Sequence, residues 1–292
     1  MKKLTRREFL GAGAVGLAAA SQLNTDAFAR PARRFDAPIS FQSWGMKDQL
    51  SEDWDGTMAR VREIGYSGME MCSPRSYGQF AFLKDVSGRD LRARIENAGL
   101  FCKTCHMSAR EVVDFEELYG TIEYAKDLGL ENITMSSAGL GGDATLDDWK
   151  EYADKSNQAG EVIKGAGLQL VYHNHQIDPV MDGIPLYDRL MSMFDADLVK
   201  MQFQLASIRG GYDIVEYLDK YAGRYISLHM HDWDPDAETI APLGDGIIDW
   251  KRLVRTAMKS NIPDHGWIVE IETDAPFEGL VRSYDYFSKL EV

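Results

Sequence analysis

The chain has few cysteines, and none of them suggests a disulfide framework. Cys72, Cys102 and Cys105 are the only three, and an odd, small number is a poor basis for such a framework even in an oxidising compartment. Cys102 and Cys105 form a C-x-x-C spacing, but their segment, LFCKTCHMS, is typical of a strand, in which positions i and i+3 face opposite sides. We therefore expect buried thiols rather than a redox pair.

Positive charge is also scarce in this sequence. The 292 residues contain 32 Lys and Arg against 46 Asp and Glu, a net charge of −14. Residues 1–29 hold four basic residues against Glu8 and Asp26, so the rest carries a net charge of about −16. An acidic surface of this size argues against binding to nucleic acid. A glycine-rich phosphate fingerprint is missing after the first predicted strand, which argues against nucleotide binding.

A third absence is a long apolar run. The apolar stretch GAGAVGLAAA is too short to span a bilayer, and no later stretch is long and apolar enough. It follows Arg6 and Arg7 and precedes Ala27-Phe28-Ala29, which is the order of a twin-arginine signal peptide with an A-x-A cleavage site. We expect residues 1–29 to be this signal and residues 30–292 to be exported to the periplasm or the medium, free of the membrane.

What the sequence does contain, from residue 39 onward, is a regular alternation of short apolar runs and amphipathic segments. The strand candidates are ISFQSW, GMEMC, FCKTCHMS, NITMSSA, LQLVYHNH, VKMQFQL, YISLHMHD and WIVEIE. Helices are predicted to begin near Trp54, Arg89, Phe115, Leu146, Pro185, Tyr212, Asp249 and Phe277. Eight strands alternating with eight helices predict an α/β protein, a single-domain (β/α)8 TIM barrel over residues 30–292. A doubly wound open sheet is the alternative.

The loops of this predicted barrel are unequal in length. Connections from helix to strand are short, whereas several from strand to helix are long, including SPRSYGQFAFLKDVS and WDPDAETIAPLGDGII. The active site of a (β/α)8 barrel lies at the carboxyl ends of its strands. The long loops therefore mark the end at which we expect the site.

Polar residues recur in pairs, one residue apart, on the last four predicted strands. Alternate side chains of a strand share a face, so the members of each pair point to the barrel interior. Polar groups in such an interior are costly unless they are paired or bind something. Imidazoles, amides and carboxylates together are a metal-ligand mixture, although each pair alone could be ordinary core. The pairs are His173 and His175, Gln202 and Gln204, His229 and His231, and Glu270 and Glu272.

At these residues the chain resembles the xylose isomerase-like barrel superfamily, in the branch of sugar phosphate isomerases and epimerases. The resemblance covers nearly all of residues 30–292 and rests on EIGYSGMEM, CHMS, VYHNHQID, YAGRYISLHMHD, PLGDGIIDW and IVEIE in order. It implies that His229 and Glu270 bind a metal, that Glu70 takes an acidic position of the family, and that His106 faces the substrate at the rim. The superfamily also contains a zinc-dependent abasic-site endonuclease, which the acidic surface disfavours.

The chain departs from this family pattern at four positions. The family metal site is typically Glu, Asp, His and Glu on strands five to eight, but here His173 takes the first position and Gln204 the second. Ser207 stands where a histidine is common, and His231 where a lysine is common. The implied ligands are His173, Gln204, His229 and Glu270, a set suited to Mn, Zn, Co or Fe.

The resulting hypothesis is a metal-dependent sugar isomerase or epimerase that acts through an enediolate. Glu270 or His173 would be the base, with His231 or His175 as the partner acid. A lyase acting on 3-keto-sugars or glycosides by β-elimination is the alternative, and export favours it somewhat. A non-catalytic sugar-binding barrel is a third possibility. The partner is in each case a small carbohydrate, and the sequence leaves the oligomeric state open. Predicted substrate contacts are Trp44, Glu70, His106, His175 and Arg209.

Overall fold

The computed structural model describes residues 34–292. Eight parallel strands form one closed barrel in which each strand pairs with its neighbours in sequence and the last pairs with the first. The predicted (β/α)8 barrel is therefore confirmed, and the open-sheet alternative is wrong. The predicted signal at residues 1–29 lies outside the described residues. The strands are β1 (Ser40–Gln42), β2 (Gly68–Cys72), β3 (Phe101–Met107), β4 (Asn132–Met135), β5 (Gln169–His173), β6 (Val199–Gln204), β7 (Tyr225–Met230) and β8 (Trp267–Val269).

Eight main helices cover the outside of the barrel, one after each strand. They are α1 (Trp54–Ile64), α2 (Gly88–Asn97), α3 (Phe115–Leu128), α4 (Leu146–Gly165), α5 (Leu186–Met193), α6 (Ile214–Lys220), α7 (Trp250–Ala257) and α8 (Pro276–Ser288). Short helical segments lie at Trp44–Met46, Lys47–Glu52, Gly78–Leu83, Ala109–Val113, Leu205–Gly210, Met258–Ser260 and Asp264–Gly266. Among the described residues, no helix combines the length and apolar character that a membrane span needs.

Local sequence signals set the helix ends. The Asp114 side chain accepts a hydrogen bond from the Glu116 backbone N–H at the start of α3, and Gly129 ends that helix in the left-handed region at φ 81°. At α4, Thr145 and Asp148 form a reciprocal capping box. These residues fix where α3 and α4 begin and where α3 ends.

Strand alternation separates an apolar outer face from a polar interior. Met201 and Phe203 on β6 and Leu228 on β7 are fully buried members of the apolar core under the helices. Gln202 and Gln204 on β6 and His229 on β7 are also buried but point inward. There Gln202 and His229 contact Glu70, and Gln204 contacts Glu270. All three cysteines are free and buried, as predicted.

Two small hairpins are built on the loops at the carboxyl ends of the strands. The β5 hairpin pairs Val180–Met181 with Ile184–Pro185, and the β7 hairpin pairs Asp232–Asp234 with Thr239–Ala241. The buried Asp232 carboxylate anchors the second, because it accepts hydrogen bonds from the Gly244 and Ile248 backbone and from the Trp250 indole. The loop elaboration predicted for this end of the barrel is therefore present.

Candidate active site

A fully buried carboxylate, Glu70 on β2, lies at the centre of the barrel interior. Its Oε1 accepts hydrogen bonds from Thr104 Oγ1 at 2.9 Å and from Gln202 Nε2 at 2.8 Å. Its Oε2 accepts from Gln42 Nε2 at 2.6 Å and lies 2.6 Å from His229 Nε2. We call Gln42, Glu70, Thr104 and Gln202 the Glu70 network. None of its side-chain polar atoms lacks a partner among residues 34–292.

The charge of Glu70 is stabilised by imidazoles. His106 Nε2 lies 3.1 Å from Glu70 Oε2 and 2.7 Å from Gln202 Oε1, and its ring stacks on that of His229 with centroids 4.9 Å apart. Burial alone raises the pKa of Glu70, but His106 and His229 outweigh burial and hold the pKa well below its usual range. Glu70 is therefore an ionised carboxylate at neutral pH.

His229 on β7 connects this network to a second carboxylate nearer the mouth. Its Nδ1 lies 3.1 Å from Glu270 Oε2, while its Nε2 contacts Glu70. Burial lowers the pKa of His229, but the carboxylates of Glu270 and Glu70 outweigh it and raise the pKa to about 10. In the same way, His229 overcomes the effect of burial on Glu270 and lowers its pKa strongly. The ring is therefore an imidazolium that donates to both carboxylates.

A second set of buried side chains, His173, Gln204, His231 and Glu270, surrounds His229 at the carboxyl ends of the strands. We call it the mouth group. Gln204 Nε2 donates to Glu270 Oε2 at 3.0 Å, and the His173 ring lies 4.5 Å from that of His229 between centroids. Unlike the Glu70 network, this group has buried polar atoms without a hydrogen-bond partner among residues 34–292. These atoms are His173 Nδ1, Gln204 Oε1, and both ring nitrogens of His231.

His231 is the most unusual member of the mouth group. Its side chain is 0 % exposed, and Nδ1 lies 3.6 Å from Glu270 Oε2, too far for a hydrogen bond. Burial lowers its pKa to about 4, so the ring is neutral at neutral pH. The β7 hairpin begins at the next residue, Asp232.

The ligand atoms of three buried imidazoles lie close enough together to hold one metal ion. His106, His173 and His229 each offer an atom, and these atoms lie within 4.8 Å of one another. The metal set implied by the sequence, His173, Gln204, His229 and Glu270, is also brought together here, although His106 was not part of it. A metal position at this height of the barrel is therefore compatible with the side chains present.

Several predicted site residues differ from the sequence expectation in how far their side chains are exposed. Glu70 and His106, two of the predicted substrate contacts, lie deeper than the rim, at 0 % and 6 % exposure, and their contact with a substrate stays a prediction. Glu272 was expected to point inward, but β8 ends at Val269, and Glu272 is exposed beyond the end of the strand. His175, also expected inward, is exposed at the rim, although its ring meets that of His173 with centroids 4.9 Å apart. His175 and Glu272 do not point inward because they lie beyond the ends of β5 and β8, and alternation continues only while the chain stays extended.

The remaining predicted contacts lie at the mouth. Trp44 is half-buried just after β1, its ring 6.0 Å from that of Tyr77 between centroids. Arg209 is exposed, and its guanidinium donates to the His175 carbonyl at 3.5 Å. Their roles in binding stay predictions.

Sequence analysis missed part of the amino-terminal half of the interior. Gln42 and Thr104 were not singled out, yet both bind Glu70. The same alternation that identified pairs on β5 to β8 would have placed them inward on β1 and β3. Asn174 was also missed: it donates to Ser207 Oγ at 3.0 Å and accepts from the Gln204 backbone at 3.2 Å.

Comparison with known proteins agrees with this fold. A family described as "Xylose isomerase-like TIM barrel" matches residues 58–290. A crystal structure of a sugar phosphate isomerase/epimerase from Parabacteroides distasonis superposes with a TM-score of 0.74 at 22 % identity, over 91 % of this chain and 97 % of that one. This likeness shows the fold alone.

Curated relatives carry one recurring name, inosose dehydratase. The Geobacillus kaustophilus protein of that name is 24 % identical over 302 residues, which span 87 % of this chain and 93 % of the relative. A Clostridium perfringens protein of the same name is 33 % identical over 167 residues, about half of each chain (49 % and 55 %).

Proposed function

The chain belongs to the xylose isomerase-like TIM barrel family, and we propose that it is a lyase acting on a polyhydroxylated cyclic ketone. The observation that carries this proposal is the His231 ring. It is wholly buried at the barrel mouth beside Glu270, and neither of its nitrogens has a hydrogen-bond partner within residues 34–292. Buried polar groups are nearly always hydrogen-bonded in native proteins. We infer that this ring is kept for a ligand.

In the proposed reaction, neutral His231 removes the proton from the carbon beside the substrate carbonyl. The electron pair of that C–H bond moves toward the carbonyl and gives an enolate. The imidazolium that forms is stabilised by the Glu270 carboxylate, 3.6 Å away. The oxygen substituent on the next carbon then leaves with its electron pair and takes the proton from His231. The products are an unsaturated ketone and water or an alcohol, and no oxidant or reductant is needed.

The donor atoms at the mouth also fit a divalent ion such as Mn, Zn, Co or Fe. His173 Nδ1 and Gln204 Oε1 have no partner among the described residues, and two ionised carboxylates, Glu70 and Glu270, face one imidazolium. We propose His173, Gln204, His229 and Glu270 as its ligands. Binding would replace the proton held by His229. When bound, such an ion supplies a Lewis acid for the substrate carbonyl.

We favour elimination over isomerisation because of the relatives. Their shared name, inosose dehydratase, denotes a lyase that removes water. The sequence had favoured an isomerase or epimerase and left the lyase as the alternative. Both reactions begin with proton removal beside a carbonyl, so His231 has the same role in each.

The test incubates the protein in deuterated solvent with a panel of inososes, keto-sugars and 3-keto-glycosides and follows each by NMR. We expect loss of the oxygen substituent and an unsaturated ketone from at least one member. His231→Leu should reduce this rate about 10²-fold or more, the usual contribution of a positioned base. His265→Leu removes a half-buried histidine beside Asn132, away from the mouth, and should leave the rate unchanged.

Two results would contradict the proposal. Isomer formation with deuterium uptake and no loss of the substituent would make the protein an isomerase. Equal rates in the wild type and His231→Leu would remove His231 from proton transfer.

We also propose that residues 1–29 direct export by the twin-arginine route. The support is the Arg6-Arg7 pair, the short apolar run and Ala27-Phe28-Ala29. Replacing both arginines with lysine should leave the protein in the cytoplasm, as fractionation and immunoblotting would show. Unchanged export of that variant would contradict the proposal.

A further inference from the structure

A cavity of about 370 Å³ lies beside the mouth group, between the loop that follows β4 and the loop that follows β5. This volume is within the range of small-molecule pockets, roughly 300–1,000 Å³. One side of it is built from aromatic and aliphatic side chains, Trp149 on α4, Tyr172 on β5, and Tyr187 and Leu190 on α5, and polar residues of the loop after β5 line the other side. The proposed reaction does not use it.

The cavity shares a wall with the candidate active site. Asn174 and His175 both line it. The His175 ring meets the ring of His173, a member of the mouth group, and Asn174 accepts a hydrogen bond from the backbone of Gln204, another member. His175 and Asn174 therefore lie between the mouth group and the cavity, which makes the cavity the nearest space for a substituent of a substrate bound at the mouth.

Exposed apolar side chains gather at the same place. Leu140, which lines the cavity, is 37 % exposed. Val180 and Ile184, at 55 % and 44 %, lie on the β5 hairpin, which starts directly after the cavity-lining Pro179. Clustered exposed apolar residues beside a pocket are typical of a binding site for an apolar group.

We propose that this cavity holds an apolar ring that the substrate carries as its aglycone. The inference rests on the proposed elimination and specifies its leaving group, which is an alcohol or phenol rather than water. The bond between the β-carbon and the aglycone oxygen breaks, the oxygen keeps the electron pair, and it takes the proton from His231. The keto-sugar ring stays at the mouth group, and the aglycone leaves through the cavity.

Gly142 offers a way to fill the cavity. It lines the cavity, a Cβ built there meets nothing within 4 Å, and its φ is outside the left-handed region. Gly142→Phe should therefore occupy the space without disturbing the fold. Gly165→Phe is the matched control, because Gly165 at the end of α4 also has open space around it but does not line the cavity. Trp149→Ala is a second variant that removes part of the wall.

The first measurement is calorimetric binding of two inert probes, phenyl β-D-glucopyranoside and methyl β-D-glucopyranoside. We expect the phenyl compound to bind the wild type about tenfold or more tightly, a difference of one decade in Kd. Gly142→Phe and Trp149→Ala should remove this preference, and Gly165→Phe should keep it. Equal affinity for the two probes, including no measurable binding of either, overturns the proposal, as does a preference that survives Gly142→Phe and Trp149→Ala.

The second measurement separates this inference from the proposed reaction. The 3-keto forms of the two glycosides are compared for turnover. The phenyl compound should show the higher kcat/KM in the wild type, and this preference should be lost in Gly142→Phe. A phenyl preference in binding without turnover of either ketone contradicts the lyase and supports the cavity assignment. Turnover of both ketones without a phenyl preference supports the lyase and contradicts the cavity assignment. A concentration-dependent dimer that Val180→Glu abolishes, together with no phenyl preference, assigns the apolar rim to a second copy and overturns the proposal.

Discussion

The Glu70 network and the mouth group lie next to each other in one barrel, yet they differ in how their polar atoms are satisfied. Glu70 accepts three side-chain hydrogen bonds from neutral groups and contacts two imidazoles. In the mouth group, four buried nitrogen or oxygen atoms have no partner within residues 34–292. Both groups contain a carboxylate bound to the same ring, His229.

This difference indicates that the Glu70 network and the mouth group have different roles although they contain similar residues. A fully satisfied buried network stabilises and orients its members, and breaking it is costly. A partly satisfied one gains stability only when a ligand supplies the missing contacts. Changes in the Glu70 network should therefore act on folding, and changes in the mouth group on binding and catalysis.

The largest effect is expected for Glu70→Gln. The substitution removes a carboxylate partner of the His229 imidazolium and places an amide donor against those of Gln42 and Gln202. The free energy of unfolding should fall by about 3–5 kcal/mol, as measured by urea denaturation. Glu272→Gln, which changes an exposed carboxylate, is the control and should alter it by no more than about 0.5 kcal/mol. Equal effects of the two variants would erase the distinction between the groups.

The next effect concerns the mouth carboxylate. Glu270→Gln should lower kcat on a turned-over ketone by about 10²-fold or more, which corresponds to an increase of roughly 2.7 kcal/mol in the activation free energy. The reason is that it removes the charge beside His231 and a proposed metal ligand together. Its unfolding free energy should fall less than that of Glu70→Gln. Undiminished turnover in Glu270→Gln would take Glu270 out of the mechanism.

A smaller change tests the Glu70 network with neutral groups. Thr104→Val deletes the hydroxyl that donates to Glu70 at 2.9 Å and lies 2.8 Å from Thr134 Oγ1. It should cost about 1–3 kcal/mol of unfolding free energy, because a buried acceptor loses its donor. Ser40→Ala removes a buried hydroxyl that has no partner among the described residues, so its cost should be under about 0.5 kcal/mol. Similar losses of unfolding free energy in Thr104→Val and Ser40→Ala would show that hydrogen bonding is not what stabilises the Glu70 network.

The smallest effect on stability is expected for His231→Leu, the variant that should lose activity. The ring makes no hydrogen bond to the protein, so an apolar side chain should change the unfolding free energy by about 0.5 kcal/mol or less, or increase it. His106→Leu, which breaks contacts to Gln202 and Glu70, should destabilise clearly more. If His231→Leu is the more destabilising of the two, the ring has a structural role that its contacts do not account for.

Much of the fold was predictable from short-range patterns. Helices were predicted to begin near Trp54, Phe115 and Leu146, where they do begin, because the apolar period and the capping residues act within one turn. The inward positions of Gln204 and His229 followed from alternation alone. Glu272 was misplaced since nothing local in WIVEIET marks where the strand ends.

Within each strand, the sequence by itself determined which side chains face the interior, because alternation is a property of the extended chain, but it did not determine where β5 and β8 end. It did not determine which of them meet. Glu70 and His229 are 159 residues apart, and the Glu70–Gln202 bond joins residues 132 apart. Those contacts depend on strand register, and β6 and β7 shift register between Met201 and Gln202. Only the closed barrel fixes that register, and with it the division between side chains that are satisfied by one another and those left for a ligand.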